Sequence, residues 1–226
     1  MDFAAVETSG EWCSVALWTD GEIAGLERRA GHRHGELVLP MLERLLARRG
    51  LRADALDAVA FGAGPGAFTG LRIACGVAQG LALARGVPVL GVSTLEAVAE
   101  ESGAWRAVVC LDARMREVYY AALERAPEGW REVVEAQCVA PAAAPLPPGR
   151  DWQGCGNGFA AYGEALRGRL GASLARVSAE AHPSAVAVAR LAAPRLAAGQ
   201  GIDAALAAPR YLRDKVALTK QERESR

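Results

Sequence analysis

The stretch Phe61–Arg85, FGAGPGAFTGLRIACGVAQGLALAR, decides how the rest of this chain is read. Ahead of it, Ala58-Val59-Ala60-Phe61 reads as a short buried strand. Gly62, Gly64, Pro65, Gly66 and Gly70 then mark a turn, where glycine lets the backbone take positive φ and come close to another group. A helix is predicted behind them, with Thr69 as its N-cap, the hydroxyl accepting from first-turn N–H groups. Ala74, Gly76, Ala78, Gly80, Ala82 and Ala84 give that helix little side-chain bulk. Such a helix must lie close to a nucleotide phosphate, to its own sheet, or to another protein.

The phosphate readings are the weakest of the three. A P-loop ends in Gly-Lys-Ser/Thr, and no lysine follows these glycines. Gly62, Gly64 and Ala67 fit a loose dinucleotide fingerprint after a strand. That fingerprint needs an acid at the tip of the next strand, yet Val87–Val92 runs into Ser93-Thr94, and three strands precede the loop where the fingerprint opens its domain. A tight turn with a helix packed on a sheet accounts for the glycines alone.

Bulk properties narrow the partners. A chain of 226 residues forms one or two domains with a real core. Lysine plus arginine equals aspartate plus glutamate at 26 each, and the formal charge of zero argues against a main RNA-gripping subunit, which carries a basic stripe. The five cysteines form no C-x-x-C pair; Cys13, Cys75 and Cys110 read as buried thiols. The odd count and the absence of a signal-peptide pattern suggest a reducing, cytoplasmic setting. No run reaches the ~18 apolar residues of a membrane span.

Along the chain, Phe3–Val6, Cys13–Trp18 and Ile23–Arg28 read as strands, the last two joined by an Asp20-Gly21 hairpin turn. Leu37, Val38, Met41, Leu42, Leu45 and Leu46 fall on one face of a helix from about His34 to Arg49, with Pro40 tolerable only near its start. After the strand at 58–61 and the small-residue helix come a strand at 87–92 and a helix from Thr94 to about Glu101. This order is the unit shared by actin, hexokinases and heat-shock chaperones. The second half echoes it: strands at 107–111, 116–123 and 132–139, a proline-rich loop at 141–148 that cannot lie inside a sheet, a strand at 151–155, a helix at 159–170, a strand at 175–177, and a helix from Pro183 to Ala198 with the proline near its first position. The expectation is an α/β, two-lobed actin/hexokinase/heat-shock-chaperone-like (ASKHA) fold with a reduced second lobe. The first lobe spans 1–102, the second 103–208, and a C-terminal tail, extended at first, covers 209–226.

The run Gly64-Pro65-Gly66-Ala67-Phe68-Thr69-Gly70-Leu71-Arg72 closely resembles the G-P-G-S-F-T-G-L-R-I motif of the TsaB (YeaZ) family. Val6-Glu7-Thr8-Ser9 is similar to that family's opening strand and D-T-S turn, with Glu7 in place of aspartate. His34–Pro40, Ser93–Ala97, Asp112–Tyr119 and Pro209–Arg213 resemble further family stretches in the expected order. The resemblance implies a part in placing threonylcarbamoyl on the adenosine 3′ of the tRNA anticodon. It further implies pairing with the metal- and ATP-binding paralogue TsaD, recruitment of the ATPase TsaE, a homodimer in isolation, and contact with tRNA only through the complex.

The chemistry-bearing residues agree with a subunit rather than an enzyme. In the superfamily's kinases an acid at the first strand's end helps hold Mg²⁺-nucleotide; Glu7 and Asp112 occupy such places, and with Thr8, Ser9, Gly64 and Gly66 they outline a vestigial nucleotide site. No cofactor is expected beyond weak binding of ATP, ADP or Mg²⁺ there. Gly154, Gly156 and Gly158 are the one candidate for a second phosphate loop. His32, His34 and Glu36 lack the third ligand of a zinc site, and the TsaD motif H-x-x-x-H fails because Val38 stands four after His34. Despite the family's glycoprotease label, H-E-x-x-H and G-x-S-x-G are absent.

Surface remains. The two helices hold more apolar or small positions than one buried face requires, so one row is expected to face outward and need a partner. The expected interface comprises His34, Leu37, Val38, Met41, Leu45, Phe68, Thr69, Leu71, Arg72, Ala74 and Cys75. Leu45→Arg or Ala74→Arg should then break pairing and spare the fold. The rival reading is a small ASKHA-type ATP-dependent phosphotransferase using Glu7, Asp112 and the loops at 62–66 and 154–158.

Overall fold

A computed structural model describes residues 1–127 and 129–213. The first half folds as β1 (Phe3–Glu7), β2 (Trp12–Thr19), β3 (Glu22–Arg29), α1 (His34–Arg48), β4 (Ala58–Gly64), α2 (Phe68–Leu83), β5 (Val89–Ser93) and α3 (Thr94–Ser102). The second continues as β6 (Arg106–Asp112), β7 (Val118–Ala126), β8 (Gly129–Val139), β9 (Trp152–Cys155), α4 (Gly158–Ala161), α5 (Gly163–Leu170), β10 (Leu174–Ser178) and α6 (Ala185–Ala197).

Two five-stranded sheets result, ordered β3-β2-β1-β4-β5 and β10-β9-β6-β7-β8. Their pairings repeat: β1 lies antiparallel to β2 and parallel to β4, and β6 lies antiparallel to β7 and parallel to β9. β1 is buried on both faces, as an inner strand flanked by helix layers must be. The layers run α1 and α2, first sheet, α3 and α6, second sheet, then α4 and α5 with the proline-rich segment.

The reduced second lobe has a physical form. Where α1 follows β3, the segment after β8 makes only a 3₁₀ turn at Pro141–Ala143. Ala144 is buried beside Trp152, and the Pro145 and Pro148 carbonyls accept from the Tyr120 hydroxyl and the Trp152 indole. The loop thus covers a sheet face in place of a helix.

Several boundaries differ from expectation. Thr69 does not cap α2: the N-cap position is Ala67, without a side-chain bond, and Thr69 lies inside the first turn. The Ala67 amide is instead tied to the Ser9 carbonyl at 2.8 Å. Pro183 precedes α6, whose cap is Ser184 accepting from the Ala187 amide at 3.0 Å. The helix expected at 159–170 breaks at Tyr162. Arg116 belongs to a turn rather than a strand, because Arg114, Met115 and Arg116 all have φ near 60°.

One helix of the expected second lobe, 103–208, reaches the first sheet. α6 crosses back to pack on the first sheet, with the Ala185 amide donating to Ser14 Oγ at 3.0 Å. Ile202 then bridges Val89 through two backbone bonds of 2.8 and 2.9 Å. Residues 209–213 are docked, as described below; the rest of the expected tail lies outside the described residues.

Packing of α2 on the β1–β2 turn sets the close approach. Thr8 Oγ1 donates to the Gly70 carbonyl at 2.7 Å, and a Cβ at Gly70 would overlap the Thr8 carbonyl oxygen. Backbone atoms cannot yield as a side chain does, so Gly70→Ala should destabilise the fold by about 3 kcal/mol. Thermal denaturation checks this, with an expected fall of roughly 10 °C.

Candidate functional site

Ligands of open α/β sheets sit beyond the carboxyl ends of the strands. There, Glu7 ends β1 with no solvent exposure. Its Oε1 accepts from the Ser9 amide at 2.5 Å, while Oε2 has no hydrogen-bond partner among the described residues. A Cβ at Gly62 would collide with this carboxyl group, so glycine is needed to admit it. Burial pushes the Glu7 carboxyl up from its ordinary range, outweighing the hydrogen bonds from Ser9 and Thr8 that pull it down.

The other loop glycines also face the chain itself. A Cβ on Gly66 would lie 2.6 Å from Ser9 Cβ, and one on Gly64, at φ 115°, would lie 2.5 Å from the Arg210 carbonyl oxygen. In the second lobe, Cβ atoms on Gly156 and Gly158 would stand 2.5 and 2.7 Å from the Cys110 carbonyl oxygen. Asp112 is engaged in its own turn: Oδ1 accepts from the Arg114 amide at 2.8 Å and the Tyr162 hydroxyl at 3.0 Å. Its amide donates to Asn157 Oδ1 at 2.9 Å.

A segment expected to be an extended tail closes this region. The Arg210 amide donates to the Ala63 carbonyl at 2.6 Å at the end of β4. Tyr211 stacks on Phe68 with ring centroids 5.6 Å apart, Arg72 lies over Phe68 at 4.0 Å, and its Nε donates to the Tyr211 hydroxyl at 3.2 Å. Leu212 joins the central core, and Arg213 pairs with Glu117 beyond β6. Residues 209–213 therefore form a strap from the first lobe to the second across the carboxyl ends of β4 and β6. Sequence reading missed its docking, although Tyr211 and Leu212 are residues that a solvated tail does not require. Glycines turned onto their own chain and a strap across the strand ends do not fit a Mg²⁺-nucleotide.

His34 is 6% exposed; its Nε2–H donates to the Gly10 carbonyl at 3.1 Å, and burial holds its pKa below the ordinary histidine value. Among the described residues no group of three or more His, Cys, Asp or Glu side chains could hold a metal. Burial pushes the Cys13 and Cys155 thiols up to about 11, which keeps both protonated.

The expected interface divides sharply. His34, Val38, Met41, Leu45, Leu71, Ala74 and Cys75 are buried within the monomer. Both helices sit over the sheet deeply enough that the inner rows fill its core. Leu45→Arg and Ala74→Arg would consequently break the fold rather than spare it. Leu37 is half-buried, and Phe68, Thr69 and Arg72 are exposed. The outward face of α2 consists of Thr69, Arg72, Gly76, Gly80 and Leu83, all exposed, with Ile73 and Val77 half-buried against the core at its border. Gly76 and Gly80 stand out: a Cβ on either meets no atom within 4 Å.

Two repeated three-plus-two sheets enclosing α3 and α6 define a protein of the two-lobed actin- and hexokinase-like class. Residues 28–221 match the family described as "TsaD: tRNA N6-adenosine threonylcarbamoyltransferase". The Escherichia coli protein named "tRNA threonylcarbamoyladenosine biosynthesis protein TsaB" is 34% identical, the alignment covering 97% of this chain and 98% of that one. Its namesake from Haemophilus influenzae is 35% identical, covering 94% and 93%. The solved structure of YeaZ from Pseudomonas aeruginosa superposes with a TM-score of 0.87 at 38% identity, covering 93% of this chain and 99% of that one. The chain belongs to the TsaB (YeaZ) family.

Glu7 offers a pH test. A carboxyl whose folded pKa is raised stabilises the fold, relative to an unperturbed one, below the unfolded value of about 4.5 and loses that contribution as pH rises through the folded value. Glu7→Gln removes the charge that burial penalises. Its melting temperature should exceed that of wild type at pH 8, and the difference should shrink or vanish near pH 4.5. An equal difference at both pH values would show that burial does not raise the Glu7 pKa.

Proposed function

We propose that this chain is a non-catalytic subunit in tRNA threonylcarbamoyladenosine formation. It binds a TsaD-type transferase through the outer faces of α1 and α2 and activates transfer onto the adenosine next to the anticodon. The same face forms a homodimer when the transferase is absent. TsaE joins the assembled pair, tRNA is met only through the complex, and the setting is the cytoplasm.

Gly76 and Gly80 carry this reading. A glycine in a helix interior costs about 1 kcal/mol relative to alanine. At Gly70, the other glycine of α2, the monomer's own packing explains that loss. At Gly76 and Gly80 the monomer offers no such reason, since both positions are open. One helical turn apart on the outward face, they let another helix approach the backbone closely. Leu83 at 56% exposure and Leu39 at 45% extend the apolar area. A partner bound here raises the population of whichever transferase conformation it prefers, by its differential affinity. The phosphotransferase reading has no comparable support, because the strap and the loop packing stand against it.

The pair Gly76→Leu and Gly80→Leu separates partner binding from folding. Side chains at these open positions should leave the monomer's melting temperature unchanged or higher. Size-exclusion chromatography with light scattering, on the chain mixed with TsaD from the same organism, should show a heterodimer for wild type and separate species for the double variant. A heterodimer that survives both substitutions would sink the assignment.

A further inference from the structure

A groove on the other flank of α1 has a composition the pairing face does not explain. α1 lies mainly over β2, and α2 lies over β4, so the side of α1 facing the edge strand β3 points away from α2. A cavity of about 420 Å³ opens there. Leu26, Leu37, Pro40 and Met41 form its apolar wall, Arg28, Arg44 and Arg48 stand around it, and Glu27 is the single acidic residue of the lining.

The charge is one-sided for a structural reason. Side chains alternate along a strand. Leu26 and Ala24 join the core beneath α1, whereas Ile23 joins the core on the α6 side and Gly25 abuts Val186 of α6. Glu27 therefore points to the α6 side, where both its oxygens lie 3.3 Å from His182 Nε2. Arg28 returns to the α1 side. Arg44 and Arg48, at i and i+4, repel one another on the helix. None of the three has an ion-pair partner among the described residues, while nearby Arg49 has one in Glu22 at 3.0 Å.

The spacing describes a ligand. The Arg49–Glu22 pair ties the end of α1 to the start of β3, so the two elements run antiparallel. Arg28 then marks one end of the groove and Arg48 the other. Leu37 to Arg48 rises about 16 Å along the helix, the length of roughly five extended residues. β3 is also an edge strand, with one side free of any pairing among the described residues, and an extended segment can add there.

We propose that the α1–β3 groove binds an extended acidic segment of a partner protein, about five residues long. Carboxylates at both ends meet Arg28 and Arg44/Arg48, and an aliphatic centre lies against Leu26, Leu37 and Met41. The site lies on the β3 flank of α1, apart from Gly76 and Gly80 of α2, the positions that carry the transferase pairing.

The test is fluorescence polarisation of a labelled hexapeptide with two central leucines flanked by two glutamates on each side, titrated with the full chain. A second probe replaces the glutamates by lysines. Saturable binding of the acidic probe, weakened at least tenfold by Arg44→Glu with Arg48→Glu and unchanged by Arg150→Glu, supports the groove. So does failure of the lysine probe. No saturable binding of the acidic probe overturns it, as does binding indifferent to the Arg44/Arg48 change. Equal displacement of the probe by an oligouridylate would make the groove a general polyanion site and also overturn it. Loss of self-association in the double variant, with no peptide binding in wild type, would assign the groove to a second copy of this chain.

Discussion

The close seating of the glycine loop and α2 on the β1–β2 turn is the constraint on which the rest of this structure depends. Gly62 admits the Glu7 carboxyl, Gly66 meets Ser9, and Gly70 meets the Thr8 carbonyl. Each contact needs the absence of a side chain, and together they fix the angle at which α2 leaves the sheet. That angle buries Leu71, Ala74, Cys75, Ala78 and Ala82 and turns Arg72, Gly76, Gly80 and Leu83 outward. The same seating places Phe68 and Arg72 where Tyr211 stacks, so the strap between the lobes rests on the loop too.

Glycines that look like a phosphate cradle in sequence thus do a different job here. In a nucleotide site such residues expose backbone N–H groups to an anion. In this chain they allow the loop to be covered by its own turn and by Arg210. The second glycine cluster behaves alike, lying on the Cys110 carbonyl of β6. Both halves of the repeated fold have turned the ends of their central strands inward, which leaves the outer helix faces as the larger resource for recognition.

The fold was legible in the sequence because its signals are local. Alternation and the Asp20-Gly21 turn placed β2 and β3, and helical spacing placed α1 to within a residue. The repeated strand order was visible for the same reason. Long-range contacts were not legible. The return of α6 to the first sheet, the Ile202–Val89 bridge and the docking of Tyr211 join residues more than a hundred positions apart. The outward face was misjudged for a related reason: periodicity reveals how wide an apolar stripe is, not how deeply the helix sits. Leu37, Met41 and Leu45 were expected in the interface, yet Met41 and Leu45 fill the core. Small residues gave the opposite error. Gly76 and Gly80 resembled Ala74 and Ala78 in the sequence, and only their open surroundings separate the two sets.

Hydrogen–deuterium exchange on the full chain, alone and mixed with the proposed TsaD-type partner, tests the central claim most directly. The account predicts new protection in α1 and α2 on adding the partner, and no change at 62–66, 112–117 or 154–158 when Mg²⁺-ATP is added to the chain alone. Protection at those three loops by Mg²⁺-ATP, with α1 and α2 unaffected by the transferase, would contradict it.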